Sequence, residues 1–171
     1  WFRATEYGLD KDFVLKRSNG LYTYIVPDIA YHYDKLVTRN VDKAINVLGA
    51  DHHGYVPRLK AALTALGVDA DKLDVVLMQM VMLVRDGEVV KLSKRSGHSS
   101  FEDLLEQGFV TEAIVNYIAL LGWSPEDNRE IFTLDELIKE FDYHRISKSP
   151  AVFDIVKLRW MNGEYIKAMD F

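Results

Sequence analysis

The sequence predicts an α/β sheet domain that passes into an all-α region, and three observations carry that prediction. A short apolar run ending in glycine, Ala44–Gly49, is followed by a helical stripe at Val56, Leu59, Ala62, Leu63 and Leu66. A second apolar run follows over residues 74–84. Strand, helix, strand at this spacing is a βαβ unit, which calls for strands buried in a parallel sheet and a right-handed crossover. From about residue 99 the chain changes to short helical stretches opened by capping signals.

Each element has its own signals. Ser18-Asn19-Gly20 marks a turn. The aromatic and β-branched run 21–26 reads as a strand. Pro27 suits a helix start, and Ile29, Tyr33 and Leu36 continue at helical spacing to about Arg39. Gly67 suits the C-terminal cap of the stripe that begins at Val56. Asp86-Gly87 is a hairpin signal. Ser100-Phe101-Glu102-Asp103 resembles a helix cap, and residues 112–121 form an apolar helix. Thr133-Leu134-Asp135-Glu136 is a capping box for a helix to about Phe141. Ser149-Pro150 predicts a last helix with Val152, Ile155, Val156 and Trp160 as its buried stripe. The domain boundary falls near residues 96–99, giving domains 1–97 and 98–171.

The bulk properties narrow the function class. The chain has 171 residues, 49% hydrophobic and 27% charged, as expected of a soluble globular protein with a real core. A net charge of -5 gives no global basic signature, although a local basic face suffices for nucleic acid. The chain has no cysteine, which excludes disulfides and cysteine metal sites and is compatible with the cytoplasm. Neither a signal peptide nor an apolar stretch approaching the roughly 20 residues of a membrane span is present. The start without methionine and the stop directly after a helical stretch read as the ends of an excerpt.

The loop Lys91-Leu92-Ser93-Lys94-Arg95 carries the most chemistry. Two ammonium groups and a hydroxyl after a hairpin can converge on a polyphosphate. Preorganised cations aimed at the departing pyrophosphate stabilise the transition state more than the ground state. Alone, the same residues also suit a solvated basic turn. Upstream, Gly49-Ala50-Asp51-His52-His53 stands at the C-terminal end of a predicted parallel strand, where open α/β sheets bind ligands. A glycine lets a nucleotide approach the backbone, and an aspartate accepts hydrogen bonds from a ribose diol. Adjacent histidines rarely converge on one ion, and no third ligand stands at characteristic spacing, so no metal site is assigned.

Together these motifs resemble the class I aminoacyl-tRNA synthetases, with residues 91–95 as a variant of the KMSKS signature. Residues 1–95 resemble arginyl-tRNA synthetase in particular, through Leu21-Tyr22-Thr23-Tyr24, Pro27-Asp28-Ile29-Ala30-Tyr31-His32 and the run from Gly49 to Ala62. Residues 91–171 resemble bacterial glutamyl-tRNA synthetase, through residues 99–105, 113–124, 145–154 and 157–163. The resemblance implies the C-terminal part of a Rossmann-like catalytic domain followed by a helical stem-contact region. It implies ATP and Mg²⁺, with Lys91, Ser93 and Lys94 as the catalytic loop. Gly49, Asp51 and His52, with both lysines, would hold the nucleotide. Tyr24 and Asp28 would line the amino-acid pocket, since a guanidinium wants a carboxylate and a flat neighbour. By residue chemistry alone, Asp28 also suits the N-terminal cap of the helix at Pro27.

The implied partners are tRNA and either arginine or glutamate, with no membrane and an open oligomeric state. The switch between the two resemblances falls at a shared motif, which suggests a chimera, a misjoined sequence or a divergent enzyme. The His-Ile-Gly-His signature of the class does not occur in the chain, so the chain alone is expected to be inactive. The alternative is a non-catalytic helical module whose Lys148, Lys157, Arg159 and Lys167 bind tRNA or protein. Walker-type and GxGxxG loops do not occur in the sequence, which argues against an unrelated nucleotide-binding fold.

Overall fold

Phe2 and Phe13 pair at the start of the fold. In the computed structural model, which describes residues 1–85, 88–91 and 100–169, the Phe2 amide donates to the Phe13 carbonyl at 2.8 Å. Their rings meet edge to face at 5.2 Å. The chain forms two compact units, Trp1–Leu77 and Met78–Phe171. The boundary expected at residues 96–99 lies outside the described residues.

In the first unit, helix α1 (Ile25–Tyr33) runs on through a wider turn over Asp34–Thr38. Strand β1 (Ala44–Gly49), helix α2 (Val56–Ala65) and strand β2 (Leu73–Met78) follow, and β1 pairs with β2. This is the expected strand, helix, strand order. Gly67 follows α2 at φ 75°, a left-handed conformation that glycine adopts without steric cost. Ile25, Ile29, Leu36, Ala44, Leu59, Leu63 and Leu73 join the two helices and the strand pair in one core. The opposite face of β1 is open, with Ile45 47% and Val47 59% exposed. The strand expected to be buried on both faces is therefore covered on one only.

The strand expected over residues 21–26 does not form. Tyr22 makes a single bridge to Lys16, and the Thr23 amide and hydroxyl are taken by the Leu15 and Val14 carbonyls. The helix opens at Ile25 instead. Pro27 falls in its first turn, where an amide has no intrahelical partner to lose. The buried stripe is Ile25, Ile29, His32 and Leu36, while Tyr33 faces outward.

The apolar run 74–84 proves to be two strands, β2 ending at Met78 and, in the second unit, β3 (Val81–Arg85) beginning after Gln79-Met80. Strand β3 pairs antiparallel with β4 (Glu88–Lys91), Arg85 opposite Glu88. The hairpin residues Asp86 and Gly87 lie outside the described residues. Helices α3 (Phe101–Glu106), α4 (Thr111–Gly122) and α5 (Leu134–Glu140) follow, the first and third opened by the capping boxes at Ser100 and Thr133. The last helix starts later than expected. Ala151–Phe153 forms strand β5, parallel to β3, and α6 (Ile155–Lys167) begins after it. Pro150 keeps its predecessor out of helical geometry. The helix signal is Asp154, whose carboxylate accepts from the Val156 and Lys157 amides at 2.8 and 3.2 Å. The stripe shifts accordingly: Leu158 and Met161 are buried, Val152, Val156 and Trp160 are exposed, and only Ile155 contributes as expected.

Asn116 is the polar centre of this unit. It is fully buried on α4, and its Oδ1 accepts from the Phe132 amide at 2.9 Å and the Tyr165 hydroxyl at 2.6 Å. It thereby joins α4, the segment before α5, and α6. Replacing Asn116 by Leu strands the Phe132 amide in the interior, while the Tyr165 hydroxyl keeps the Phe132 carbonyl as acceptor. We expect a loss of roughly 1–3 kcal/mol, since an unsatisfied buried polar group carries its full desolvation cost. Urea unfolding followed by circular dichroism measures this.

Candidate nucleotide and amino-acid site

Apart from Lys91, the described candidate residues stand at two chain positions in the first unit. The first is the start of α1. Its N-terminal cap is Tyr24, whose side chain makes no capping hydrogen bond. Tyr24 is 86% exposed and lines a shallow cavity of about 420 Å³ with Arg17, Leu21, Tyr22, Thr23 and Pro27. One turn on, Asp28 does not cap the helix. Its Oδ2 accepts from the hydroxyl of Tyr55, which stands just before α2. Burial, followed by the hydrogen bond to Asp28 and the negative charge there, pushes the Tyr55 phenol well above its ordinary range.

The second position is the end of β1. Gly49 is extended, at φ -65° and ψ 151°, and the chain turns through Ala50–His52 into α2. A Cβ on Gly49 would lie 2.6 Å from Asp51 Oδ1, because the Asp51 carboxylate folds back over the glycine. The requirement for glycine is thus the position of that carboxylate, not backbone strain. Asp51, His52 and His53 are all exposed. The His52 ring meets Tyr55 edge to face at 6.0 Å. Tyr55 therefore touches a candidate residue from each position.

A buried imidazole joins the same two segments. His32 Nδ1 lies 2.7 Å from the Asp28 carbonyl, and His32 Nε2 lies 2.7 Å from Asn46 Nδ2 on β1. A carbonyl only accepts, so Nδ1 carries the proton and Nε2 accepts from the Asn46 amide. Sequence reasoning assigned no role to Tyr55, His32 or Asn46. The signal for His32 was a polar residue on the apolar stripe, three after Ile29. Lys91 ends β4 opposite Met82, while Ser93 and Lys94 lie outside the described residues. Among the described residues, no group of three or more His, Asp or Glu side chains is placed to hold a metal ion.

Comparison with known proteins places this geometry. The catalytic-domain family described as tRNA synthetases class I (E and Q) matches residues 15–160. The chain belongs to the class I aminoacyl-tRNA synthetases. It is 74% identical over 88 residues to a glutamate–tRNA ligase of Lachnoclostridium phytofermentans, a match covering 52% of this chain and 18% of that protein. It is 56% identical over 108 residues to an arginine–tRNA ligase of Halalkalibacterium halodurans, covering 63% of this chain and 19% of that protein. A crystal structure of a glutamate tRNA ligase from Elizabethkingia meningosepticum in complex with its amino acid superposes over 95% of this chain and 34% of its own, with a TM-score of 0.70 and 28% identity. The chain thus spans about a fifth of the length of these two curated relatives. The paired strands and helices described above match the fold of this synthetase neighbour. Among the described residues, no helix is long and apolar enough to cross a membrane.

Two outcomes follow from the site geometry. Gly49→Ala pushes the Asp51 carboxylate, the end of a flexible side chain, out of its present position. We expect the melting midpoint to stay nearly unchanged, as read by thermal unfolding. Tyr55 titrates above its unfolded value, so its contribution to stability is present below about pH 10 and is lost as pH rises beyond it. Unfolding followed across alkaline pH should show this loss, and Tyr55→Phe should reduce it.

Proposed function

We propose that this chain carries the C-terminal part of a synthetase catalytic fold, arginyl in type over residues 1–95 and glutamyl in type over 91–171. Residues 1–97 form the partial Rossmann-like domain and 98–171 the stem-contact region that meets tRNA. The observation that carries the amino-acid assignment is the Asp28 carboxylate. It is exposed at the start of α1, held from one side by Tyr55, one turn from the exposed ring of Tyr24. A carboxylate beside an aromatic ring attracts a guanidinium and repels a glutamate side chain.

The reaction needs no side-chain nucleophile. The amino-acid carboxylate attacks the α-phosphate of ATP, pyrophosphate leaves, and the tRNA terminal ribose then attacks the adenylate. Catalysis is positioning and charge stabilisation. In this reading Gly49 lets the ribose approach the strand end and Asp51 accepts from its diol, with His52 beside them. Lys91 and Lys94 stabilise charge developing on the phosphates, and Ser93 supports their loop. ATP enters as its magnesium complex. The setting is cytoplasmic protein synthesis.

Calorimetric titration of ATP with Mg²⁺ tests the reading, on this chain and on Lys94→Ala. We expect saturable binding that weakens at least tenfold in the variant, strengthened by arginine and not by glutamate. Pyrophosphate exchange by the chain alone should stay near background. Salt-dependent tRNA binding without ATP binding would instead favour a non-catalytic module.

A further inference from the structure

The Asp28 carboxylate is held in place by contacts that reach the nucleotide loop. Tyr55 donates to one oxygen, Oδ2, and Oδ1 has no hydrogen-bond partner among the described residues. The peptide carbonyl of the same residue receives the Nδ1 proton of His32. The other face of that imidazole accepts from Asn46, three residues before Gly49 on β1. The aspartate is thus held through its side chain by the entry to α2, and its helix is tied to β1 through the His32 ring.

The chemistry of this arrangement differs from that of a surface ion-pair partner. A free aspartate side chain rotates, and immobilising it when a ligand arrives costs binding energy. A carboxylate already held by a hydroxyl donor meets that cost at folding. A guanidinium meeting a carboxylate pairs through two parallel hydrogen bonds. Oδ2 keeps a second lone pair after accepting from Tyr55, so a guanidinium can still meet both oxygens, in the orientation that the Tyr55 bond holds. Tyr55 thereby sets the orientation of the acceptor. The His32–Asn46 pair sets its distance from the strand end that would carry the ribose.

We infer that Tyr55 is a specificity-determining positioning residue for a cationic amino-acid side chain, and that His32 with Asn46 keeps that pocket in register with the nucleotide loop. The inference rests on the arginine-pocket reading above. A purely structural role would have Tyr55 and His32 only pin α2 and β1 to α1, with equal consequences for every ligand.

The test is calorimetric titration of L-arginine in the presence of ATP, on the wild-type chain, Tyr55→Phe, His32→Gln and His32→Leu, with ATP alone titrated in parallel. Glutamine can donate to the Asp28 carbonyl and accept from Asn46, whereas leucine can do neither. Tyr55→Phe and His32→Leu should weaken arginine binding about three- to tenfold, the range for one side chain that must now be ordered on binding. The loss should be larger for arginine than for ATP, and His32→Gln should stay within about twofold of wild type. Nitrogen-15 spectra of the wild type should show the His32 proton on Nδ1 and an accepting Nε2. Unchanged arginine affinity in Tyr55→Phe, or equal losses for both ligands, overturns the inference and leaves the pocket reading standing. A wild type that binds no arginine overturns both, whether or not ATP binds. A proton found on Nε2 overturns the His32 register without reference to any ligand.

Discussion

A buried imidazole is the constraint on which the first unit depends. His32 sits on the apolar stripe of α1, where an unpaired polar ring would carry a large desolvation cost. Both of its nitrogens are used, one on the carbonyl a turn earlier and one on Asn46 of β1. Apolar packing between α1 and the strands is non-directional and would tolerate sliding by a fraction of a turn. The 2.7 Å bond to the Asp28 carbonyl fixes the ring on its own helix, and the 2.7 Å bond to Asn46 then ties that ring to β1. The register of α1 against β1 is therefore set in part by this one bond, and Tyr24, Asp28, Gly49, Asp51 and His52 stand at the start of that helix and the end of that strand.

The helical unit uses the same device on a larger scale. Asn116 gathers the Phe132 amide and the Tyr165 hydroxyl, and the Tyr117 hydroxyl next to it in sequence accepts from the Asp154 amide at 2.5 Å. Asp154 is also the cap of α6. The start of the last helix is thus set by a cap that is itself held by a core tyrosine. Apolar side chains from α3, α4 and α6 then fill the space between, with Leu104, Ile114, Leu158 and Met161 buried together. In both units the apolar residues supply the driving force for burial, and a few buried polar groups fix which arrangement results.

What the sequence made legible follows from how local each signal was. The β1–α2–β2 order, the glycine after α2 and both capping boxes were legible because each depends on residues within a few positions. The strand expected over 21–26 failed because β propensity reports fit to a pleated surface, and no partner strand lies there beyond one bridge to Lys16. The last helix was misplaced because a proline after serine fits two situations, a helix start and a strand entry, and pairing with the distant β3 decides between them. At the candidate site, Gly49, Asp51 and His52 stood out as residue types at a strand end, and Tyr24 and Asp28 only through the family resemblance. Tyr55, His32 and Asn46 did not, since their roles arise from contacts across 14 and 27 residues of sequence.

The charge at Asp28 bears on how one chain can resemble two synthetases. Phosphate chemistry is common to the class, so a loop of the Lys-x-Ser-Lys type serves either amino acid equally. Discrimination between arginine and glutamate is a matter of charge sign in the pocket, where the wrong partner meets like-charge repulsion. On the reading proposed here, that choice sits in the Asp28 carboxylate held by Tyr55, and the fit to tRNA is a matter of surface shape and cation placement in residues 98–171. On the same reading a junction at the shared loop would leave the Asp28 site intact, because no hydrogen bond described for Asp28, His32 or Tyr55 leaves the segment from α1 to α2. On the reading proposed here, arginine-type selection and a glutamyl-type stem region coexist because the interactions that fix each one close within separate stretches of sequence.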